Sequence, residues 1–211
     1  WQGRAYFGAD DGNVYCVEIA SGKLAWKFNA APTDRRVIGN DRLISVWPVR
    51  GGAVVGDGKL YFSVGVWPFE GALLYTVDLQ SSNENIPHYT VKSLNELVPQ
   101  GYLVFNNERL YIPSGRAKAS CIDLATGDFV PLAFDAPGMT DYHLTSAGNL
   151  LFHGTKVYDT AAQRQLSFDA PRPLSDGNVV YGRGEESVLQ AFDTAQRETY
   201  TTKDRRGNDV Q

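Results

Sequence analysis

The chain has 211 residues, including 21 Gly and 10 Pro, with 12% aromatic residues and a formal net charge of −4. This length is enough for one domain, and the composition favours many short strands separated by turns over a helical bundle. The acidic balance excludes the basic face that nucleic-acid phosphates require, and no run of about 18 apolar residues could span a bilayer. We therefore predict an all-β protein with no nucleic-acid partner and no membrane-spanning segment.

A short strand pattern recurs from the N-terminus onwards, in which a turn glycine is followed three positions later by a pair of β-forming residues. The copies begin at Gly3 (Tyr6-Phe7), Gly58 (Tyr61-Phe62), Gly148 (Leu151-Phe152) and Gly177 (Val180-Tyr181). A further copy, Tyr111-Ile112, has Glu108 in place of the glycine. The pattern predicts five equivalent strands.

An acidic residue followed by a turn comes after each of these strands. The clearest copies are EIASGK from Glu18 and DLATGD from Asp123, and weaker ones start at Asp78, Asp159 and Asp193. A β-sandwich also has short strands and regular turns, but it has no reason to repeat both patterns in the same order. Four antiparallel strands per unit of roughly 40 residues are typical of a β-propeller blade. The predicted blades cover approximately 1–30, 45–88, 99–134, 140–168 and 172–203.

The segment VEIASGKLAW, from Val17 to Trp26, resembles the repeat of quinoprotein-type propellers, also called the PQQ-binding-like repeat. This resemblance implies a ring of seven or eight blades and a docking role for Trp26, whose counterpart in the third unit is aligned as Pro131. Because five units are visible and the first lacks an innermost strand, we expect the chain to be part of a larger ring. The alternative is a five-bladed ring in which the C-terminal stretch supplies the missing strand.

The resemblance also implies two classes of function. Quinone-dependent members stack PQQ beside a disulfide of adjacent cysteines, with calcium held by Glu and Asn, but Cys16 and Cys121 are not adjacent. Non-catalytic members bind partners through their loops, often in the periplasm or outside the cell. Our first hypothesis is a non-catalytic binding or scaffolding module without a cofactor, whose partner is a protein or the remaining blades. The alternatives are a fragment of a PQQ- and calcium-dependent alcohol or sugar dehydrogenase, and a glycan-binding propeller that uses Trp47, Trp67 and Tyr102.

Candidate ligand residues follow from the blade assignment, because the first strand of each propeller blade lines the central channel. The polar residues nearest the predicted axis are Arg50, Gln100, Tyr142, His143 and Arg172. Two guanidinium groups and an imidazole could together hold a small anionic ligand. The structural alternative is that these side chains bond to carbonyls and waters, or lie at the rim.

Two connections interrupt the blade pattern and are candidate partner-binding loops. Residues 29–46 are predicted to form a long loop that carries Arg36, and residues 66–71 form the second. The Trp47-Pro48 and Trp67-Pro68 pairs are rigid aromatic corners of the kind found at interaction hot spots. They could instead cover a blade edge or fill the channel.

Catalytic and metal-binding patterns are weak. The three histidines lack a ligand spacing such as HExxH, and Asp10, Asp11 and Asn13 fit a turn better than a calcium loop. Cys16 and Cys121 occupy the same place in their repeats, two blades apart, which predicts two free and buried thiols. We therefore predict no catalytic residue and no metal ligand.

Overall fold

The computed structural model describes residues 1–39, 41–80, 88–95, 97–115, 118–132, 141–154, 156–166, 173–176, 179–183 and 189–194, and the backbone of 202–203 and 209–210. Every regular element in these segments is a β-strand, which confirms the all-β prediction. The strands form five consecutive sheets and two additional hairpins.

The strand bounds follow the chain order. The first sheet and the hairpin after it contain β1 (Arg4–Gly8), β2 (Asn13–Glu18), β3 (Leu24–Asn29), β4 (Arg36–Gly39) and β5 (Arg42–Ser45). The second sheet contains β6 (Val54–Gly56), β7 (Lys59–Val64), β8 (Leu73–Asp78) and β9 (Tyr89–Ser93). The third contains β10 (Val104–Asn106), β11 (Arg109–Ile112), β12 (Ser120–Asp123) and β13 (Phe129–Val130). The fourth contains β14 (Leu144–Ala147), β15 (Leu150–His153), β16 (Lys156–Asp159) and β17 (Arg164–Leu166). The fifth contains β18 (Leu174–Ser175), β19 (Val179–Arg183) and β20 (Leu189–Asp193), and the final hairpin contains β21 (Thr202–Lys203) and β22 (Asp209–Val210).

The five sheets are antiparallel meanders arranged in series. Within each sheet the strands are paired in sequence order. The first strands of the second to fifth sheets lie side by side, since β6 contacts β10, β10 contacts β14 and β14 contacts β18. A separate hydrophobic core fills each junction between consecutive sheets. Antiparallel sheets packed in series in this way are a propeller-like arrangement.

Strand register defines the repeat more accurately than the sequence pattern does. One aromatic residue occupies the same register position in all five sheets, on the first strand of the first sheet and on the second strand of each of the others. The set is Tyr6, Tyr61, Tyr111, Phe152 and Tyr181. The predicted alignments of Leu151 in the fourth unit and of Val180 in the fifth are therefore each wrong by one residue. In the fourth unit the cause is visible in the turn. The shift arises because Gly148 is the first residue of its two-residue turn, whereas Gly58 is the second.

A β-bulge changes the predicted counterpart of Trp26. The register shifts between Cys16 and Val17, so that Trp26 lies opposite Cys16 and Leu24 lies opposite Val17. In the third sheet, Cys121 lies opposite Val130. The counterpart of Trp26 is therefore Val130, and the alignment with Pro131 is wrong because it does not allow for the extra residue of the bulge.

The long loop predicted over residues 29–46 contains a hairpin instead, which β4 and β5 form. Val37, Ile38, Leu43 and Ile44 are β-forming residues, and Asp41 adopts a positive φ of 59° in the turn between them. The alternative of a five-bladed ring requires a C-terminal strand that pairs with the first sheet. Among the described strands, β1 pairs only with β2, and β22 pairs only with β21.

Candidate functional site

The recurring acids act as turn-forming residues. The Asp123 carboxylate accepts hydrogen bonds from the backbone N–H groups of Ala125 and Thr126, at 2.9 and 3.1 Å. Asp159 does the same for Ala161 and Ala162, at 3.1 and 3.0 Å. These short polar bonds explain why an acid precedes each turn, and they give the acids a structural role.

A cavity of about 340 Å³ lies where the second and third sheets meet. Strand β6 begins and strand β7 ends at this end of the second sheet, so the loop after β7 lies beside the segment before β6. The third sheet has the same order of strands, so the segment that precedes β10 lies at the corresponding end of that sheet. This segment also reaches the cavity. We call it the junction cavity, and its lining residues are Arg50, Gly51, Val66, Trp67, Pro99, Gln100 and Gly101. The structure thus brings together three of the predicted site residues: Arg50, Trp67 and Gln100.

Two aromatic residues of the loop between β7 and β8 lie beside the junction cavity. Trp67 is partly buried and packs against the core between the first and second sheets. Its ring stacks on that of Phe69, with 6.3 Å between the ring centroids. Phe69 itself is 82% exposed. The loop therefore presents an apolar surface beside the cavity, although sequence reasoning had singled out Trp67 alone.

Arg50 forms an ion pair within the chain. Its Nε donates to one oxygen of Asp10 at 2.6 Å, and Arg42 donates to the other oxygen at 2.5 Å. The hydrogen bond from Arg50 is the largest influence on the Asp10 carboxyl and holds its pKa below the usual value, against the opposing effect of burial. Asp10 therefore offsets part of the positive charge at the cavity. The sequence interpretation of Asp10 as a turn residue did not reveal this role.

Trp47 lies beneath the same loop. It is 7% exposed, belongs to the first junction core, and donates from its indole Nε1 to the Glu70 carbonyl oxygen at 3.3 Å. Arg35 lies over the Trp47 ring at 5.7 Å and donates two hydrogen bonds to the Glu70 carboxylate, at 2.9 and 2.8 Å. Trp47 thus supports the loop from below. Arg35 and Glu70 join the two connections that the sequence identified separately.

The remaining candidates lie elsewhere. Arg36 is exposed and lines a second cavity of about 330 Å³, which also contains Asp11, Lys27 and Asp34. The His143 ring bonds through Nε2 to the Pro173 carbonyl oxygen at 2.8 Å and so joins the fourth and fifth sheets.

Tyr142 is exposed, and its carbonyl oxygen lies so close to Gly101 that a Cβ there would be only 2.0 Å from it. Arg172 lies outside the described residues. No described contact joins Arg50 to His143, so the predicted anion-binding cluster is not assembled from these two side chains.

The described residues contain no group of three or more His, Cys, Asp or Glu side chains placed to hold a metal ion. No helix among them has the length and apolar character that a membrane crossing requires.

Comparison with known proteins gives similarity of structure without similarity of sequence. No family model matches the chain, and no curated protein matches it. Among solved structures, BamB from Moraxella catarrhalis is 10% identical with a TM-score of 0.48, covering 100% of this chain and 73% of that chain. The computationally designed Ika8 protein is 10% identical with a TM-score of 0.50, covering 90% of this chain and 68% of that one. The designed Ika4 protein is 11% identical with a TM-score of 0.48, covering 69% and 90%. At these identities a likeness concerns the fold alone.

Proposed function

We propose that this chain is a non-catalytic binding module that receives a segment of a protein partner in the junction cavity. The observation that carries the proposal is the convergence of Arg50, Trp67 and Gln100 on one cavity of about 340 Å³. Ligand cavities of about 300 to 1,000 Å³ are usual, so this one is suited to a small group such as a single side chain. The partner we propose places an apolar or aromatic side chain between Trp67 and Gln100.

The surroundings of the cavity support a protein partner. Exposed aromatic side chains such as Phe69 and Tyr102, together with an arginine, are the residue types that dominate binding energy at protein interfaces. The Arg35–Glu70 ion pair and the buried Trp47 fix the loop that carries Trp67 before any partner arrives. A loop that is already ordered loses less conformational entropy on binding, which favours affinity.

We further propose that the five sheets are blades of a quinoprotein-type propeller of seven or eight blades. The resemblance of residues 17–26 to that repeat supports this, together with the serial junctions between the sheets. The same resemblance is the basis for proposing a periplasmic or extracellular location. PQQ is not proposed as a cofactor, because Cys16 and Cys121 are buried in different sheets and cannot form the adjacent pair on which that cofactor stacks in the family.

The test is selection of peptides from a displayed random library on the immobilised chain, followed by NMR mapping of the selected peptides. We expect enriched peptides to contain an aromatic or large aliphatic residue. When a selected peptide is added, the changes in the backbone amide chemical shifts of the chain should be largest at Val66, Trp67, Gln100 and Gly101. Gln100→Trp should fill the cavity and weaken binding by about tenfold, with an unchanged Tm because the Gln100 side chain is exposed.

A matched control is Phe129→Ser, which removes an exposed aromatic residue from an outer strand far along the chain from the cavity. Its affinity for the peptides should equal that of the wild type. Peptides that map to other residues, or that bind Gln100→Trp as well as the wild type, would overturn the proposal.

A further inference from the structure

The lining of the junction cavity combines apolar and cationic chemistry. Its apolar part consists of the partly buried Trp67 and Val66 and the buried Pro99. Apart from the indole N–H, the polar side-chain groups of the described lining are the guanidinium of Arg50 and the amide of Gln100. Arg50 is the only charged residue among them, and none is acidic. The cavity therefore suits an occupant that is both apolar and anionic.

The guanidinium of Arg50 has donors that the chain itself does not use. Within the described part of the chain it bonds only through Nε, which donates to Asp10 at 2.6 Å. Its two Nη groups are therefore free to donate, and the side chain is 38% exposed. Two N–H groups of a guanidinium match the two oxygens of a carboxylate, and the resulting hydrogen bonds are charge-assisted. Arg50 is thus able to hold a carboxylate at the cavity.

Asp10 does not cancel the charge of Arg50. Its carboxylate is shared, because Arg42 donates to one oxygen while Arg50 donates to the other. One negative charge faces two positive charges, so the three side chains together keep a positive charge. Asp10 and Arg42 line a separate cleft with Arg50, and neither of them lines the junction cavity. A ligand carboxylate in the junction cavity would therefore meet Arg50 without an acidic neighbour in the same space.

Gln100 supplies a neutral donor for the same ligand. Its side chain is exposed and makes no hydrogen bond within the described residues. Gln100 and Arg50 occupy equivalent places, four residues before β10 and β6, and a parallel bridge between Gly52 and Tyr102 holds these two segments side by side. A primary amide has two N–H donors, so a carboxylate bonded to Arg50 can also accept from Gln100.

The cavity is small, and this determines how the anionic and apolar groups of the occupant must be joined. At about 340 Å³ it suits a single residue, so both groups have to belong to one residue of the partner. Neighbouring side chains of an extended internal segment point to opposite sides, so an acidic residue and its apolar neighbour would not enter together. A C-terminal residue meets the requirement, because its α-carboxylate and its side chain are attached to the same Cα atom.

We propose that the partner segment is the free C-terminus of a protein chain. Its last residue places an aromatic or large aliphatic side chain against Trp67, and its α-carboxylate accepts hydrogen bonds from Arg50 and Gln100. Capture of a terminal carboxylate is a recurring mode of peptide recognition. The inference rests on the proposed function, because it specifies the occupant of the same cavity.

The experiment compares three acetylated hexapeptides by NMR titration of the chain. The first ends in phenylalanine with a free carboxylate, and the second is the same peptide with an amidated C-terminus. In the third, phenylalanine is followed by two glycines and a free carboxylate, which separates the apolar group from the charge. We expect the first peptide to bind at least about tenfold more tightly than the others, with the largest changes in amide chemical shift at Trp67 and Gly101.

Two variants test the role of Arg50. Arg50→Gln removes the charge from the cavity and should abolish the preference for the free carboxylate, so that the first two peptides bind equally. Arg42→Gln is the matched control, because Arg42 donates to the same Asp10 carboxylate but does not line the cavity, and this variant should retain the preference. Circular dichroism and Tm verify that both variants are folded.

A measurement on the wild type needs no variant. Added salt screens the attraction between a partly exposed guanidinium and a carboxylate. Raising the salt concentration should therefore weaken binding of the first peptide and leave binding of the amidated peptide unchanged. Equal effects on the two peptides would contradict the inference.

The other possible failures are distinguishable. Equal binding of the free and amidated peptides at the cavity would overturn the inference and still support the binding of a protein segment there. If neither peptide binds at the cavity, the inference is overturned as well, and selection from the random library tests the binding module independently. Equal loss of preference in both variants would show that general charge attracts the peptide instead of contact with Arg50. N-acetylphenylalanine that binds as tightly as the first peptide would identify a small aromatic acid in place of a protein terminus, which also overturns the inference.

Discussion

Arg35 and Glu70 form an ion pair with two parallel hydrogen bonds, at 2.9 and 2.8 Å, although they lie 35 residues apart in sequence. The pair joins the segment before the β4–β5 hairpin to the loop of the second sheet. Since the same Arg35 guanidinium lies over the ring of Trp47, the two connections and the first junction core form one continuous structure.

The first prediction concerns this pair. In a double-mutant cycle with Arg35→Gln and Glu70→Gln, we expect a coupling free energy of about 1 kcal/mol, because the geometry is bidentate while Arg35 remains largely exposed. Urea unfolding of the four proteins measures it. The corresponding cycle for Lys27 and Asp11, whose charged atoms are 3.8 Å apart, is the control and should show weaker coupling. Additive effects at Arg35 and Glu70 would contradict the prediction.

The second prediction concerns the pH dependence of Asp10. Because the hydrogen bonds from Arg50 and Arg42 favour the carboxylate, the pKa of Asp10 is lower in the folded chain than in the unfolded one. A lowered folded pKa means that the stabilisation is complete above the unfolded pKa, near 4, and is lost as pH falls through the folded pKa. Asp10→Asn should therefore cost about 1.5 kcal/mol near neutral pH and progressively less below about pH 4.

Urea unfolding of the wild type and Asp10→Asn at several pH values provides this measurement. Asp34→Asn is the control for loss of an acidic residue in the same region. A difference between wild type and Asp10→Asn that stays constant, or grows, as the solution is acidified would refute the assigned ion pairs.

The third prediction concerns the two thiols. Burial raises the pKa of Cys16, and it raises the pKa of Cys121 to about 11. Since the thiolate is the reactive form, both residues should react slowly with a disulfide reagent in the native protein at neutral pH. We expect Cys121 to be the slower of the two, as single Cys→Ala variants would show. Denatured and unreduced protein should titrate as two thiols, and one or none would contradict the assignment of both as free.

The features that could be predicted from the sequence depend on neighbouring residues or on the repeat. The acid before each turn was predictable because its role is local: Asp123 bonds to residues only two and three positions away. The free cysteines were predictable because Tyr6–Cys16 and Tyr111–Cys121 are equivalent pairs in a repeat with a fixed register.

The features that sequence reasoning missed depend on long-range contacts or on single-residue shifts. The ion pair of Arg50 with Asp10 joins residues 40 positions apart, and no local pattern indicates it. The bulge beside Cys16 and the shifted turn at Gly148 each move an alignment by one residue, which in a strand reverses the side that a residue faces. The junction cavity was only partly anticipated, because Arg50 and Gln100 were named as residues near the axis whereas Trp67 was named as part of a partner-binding loop.

The last prediction concerns the turn between β10 and β11. Asn107 and Glu108 both adopt positive φ angles, of 49° and 57°, and Glu108 occupies the turn position held by Gly3 and Gly58 in the first two sheets. A side chain in this conformation is strained by its Cβ, whereas glycine is not. Glu108→Gly should therefore raise the free energy of unfolding by about 0.5 to 1 kcal/mol, even though it removes a charged side chain and adds no contact.

The converse substitution, Gly3→Glu, is a matched control because a Cβ at Gly3 would have no atom within 4 Å, so any loss of stability reflects the backbone alone. Urea unfolding of both variants tests the argument, and a Glu108→Gly protein less stable than the wild type would show that the Glu108 side chain contributes more than its backbone strain costs.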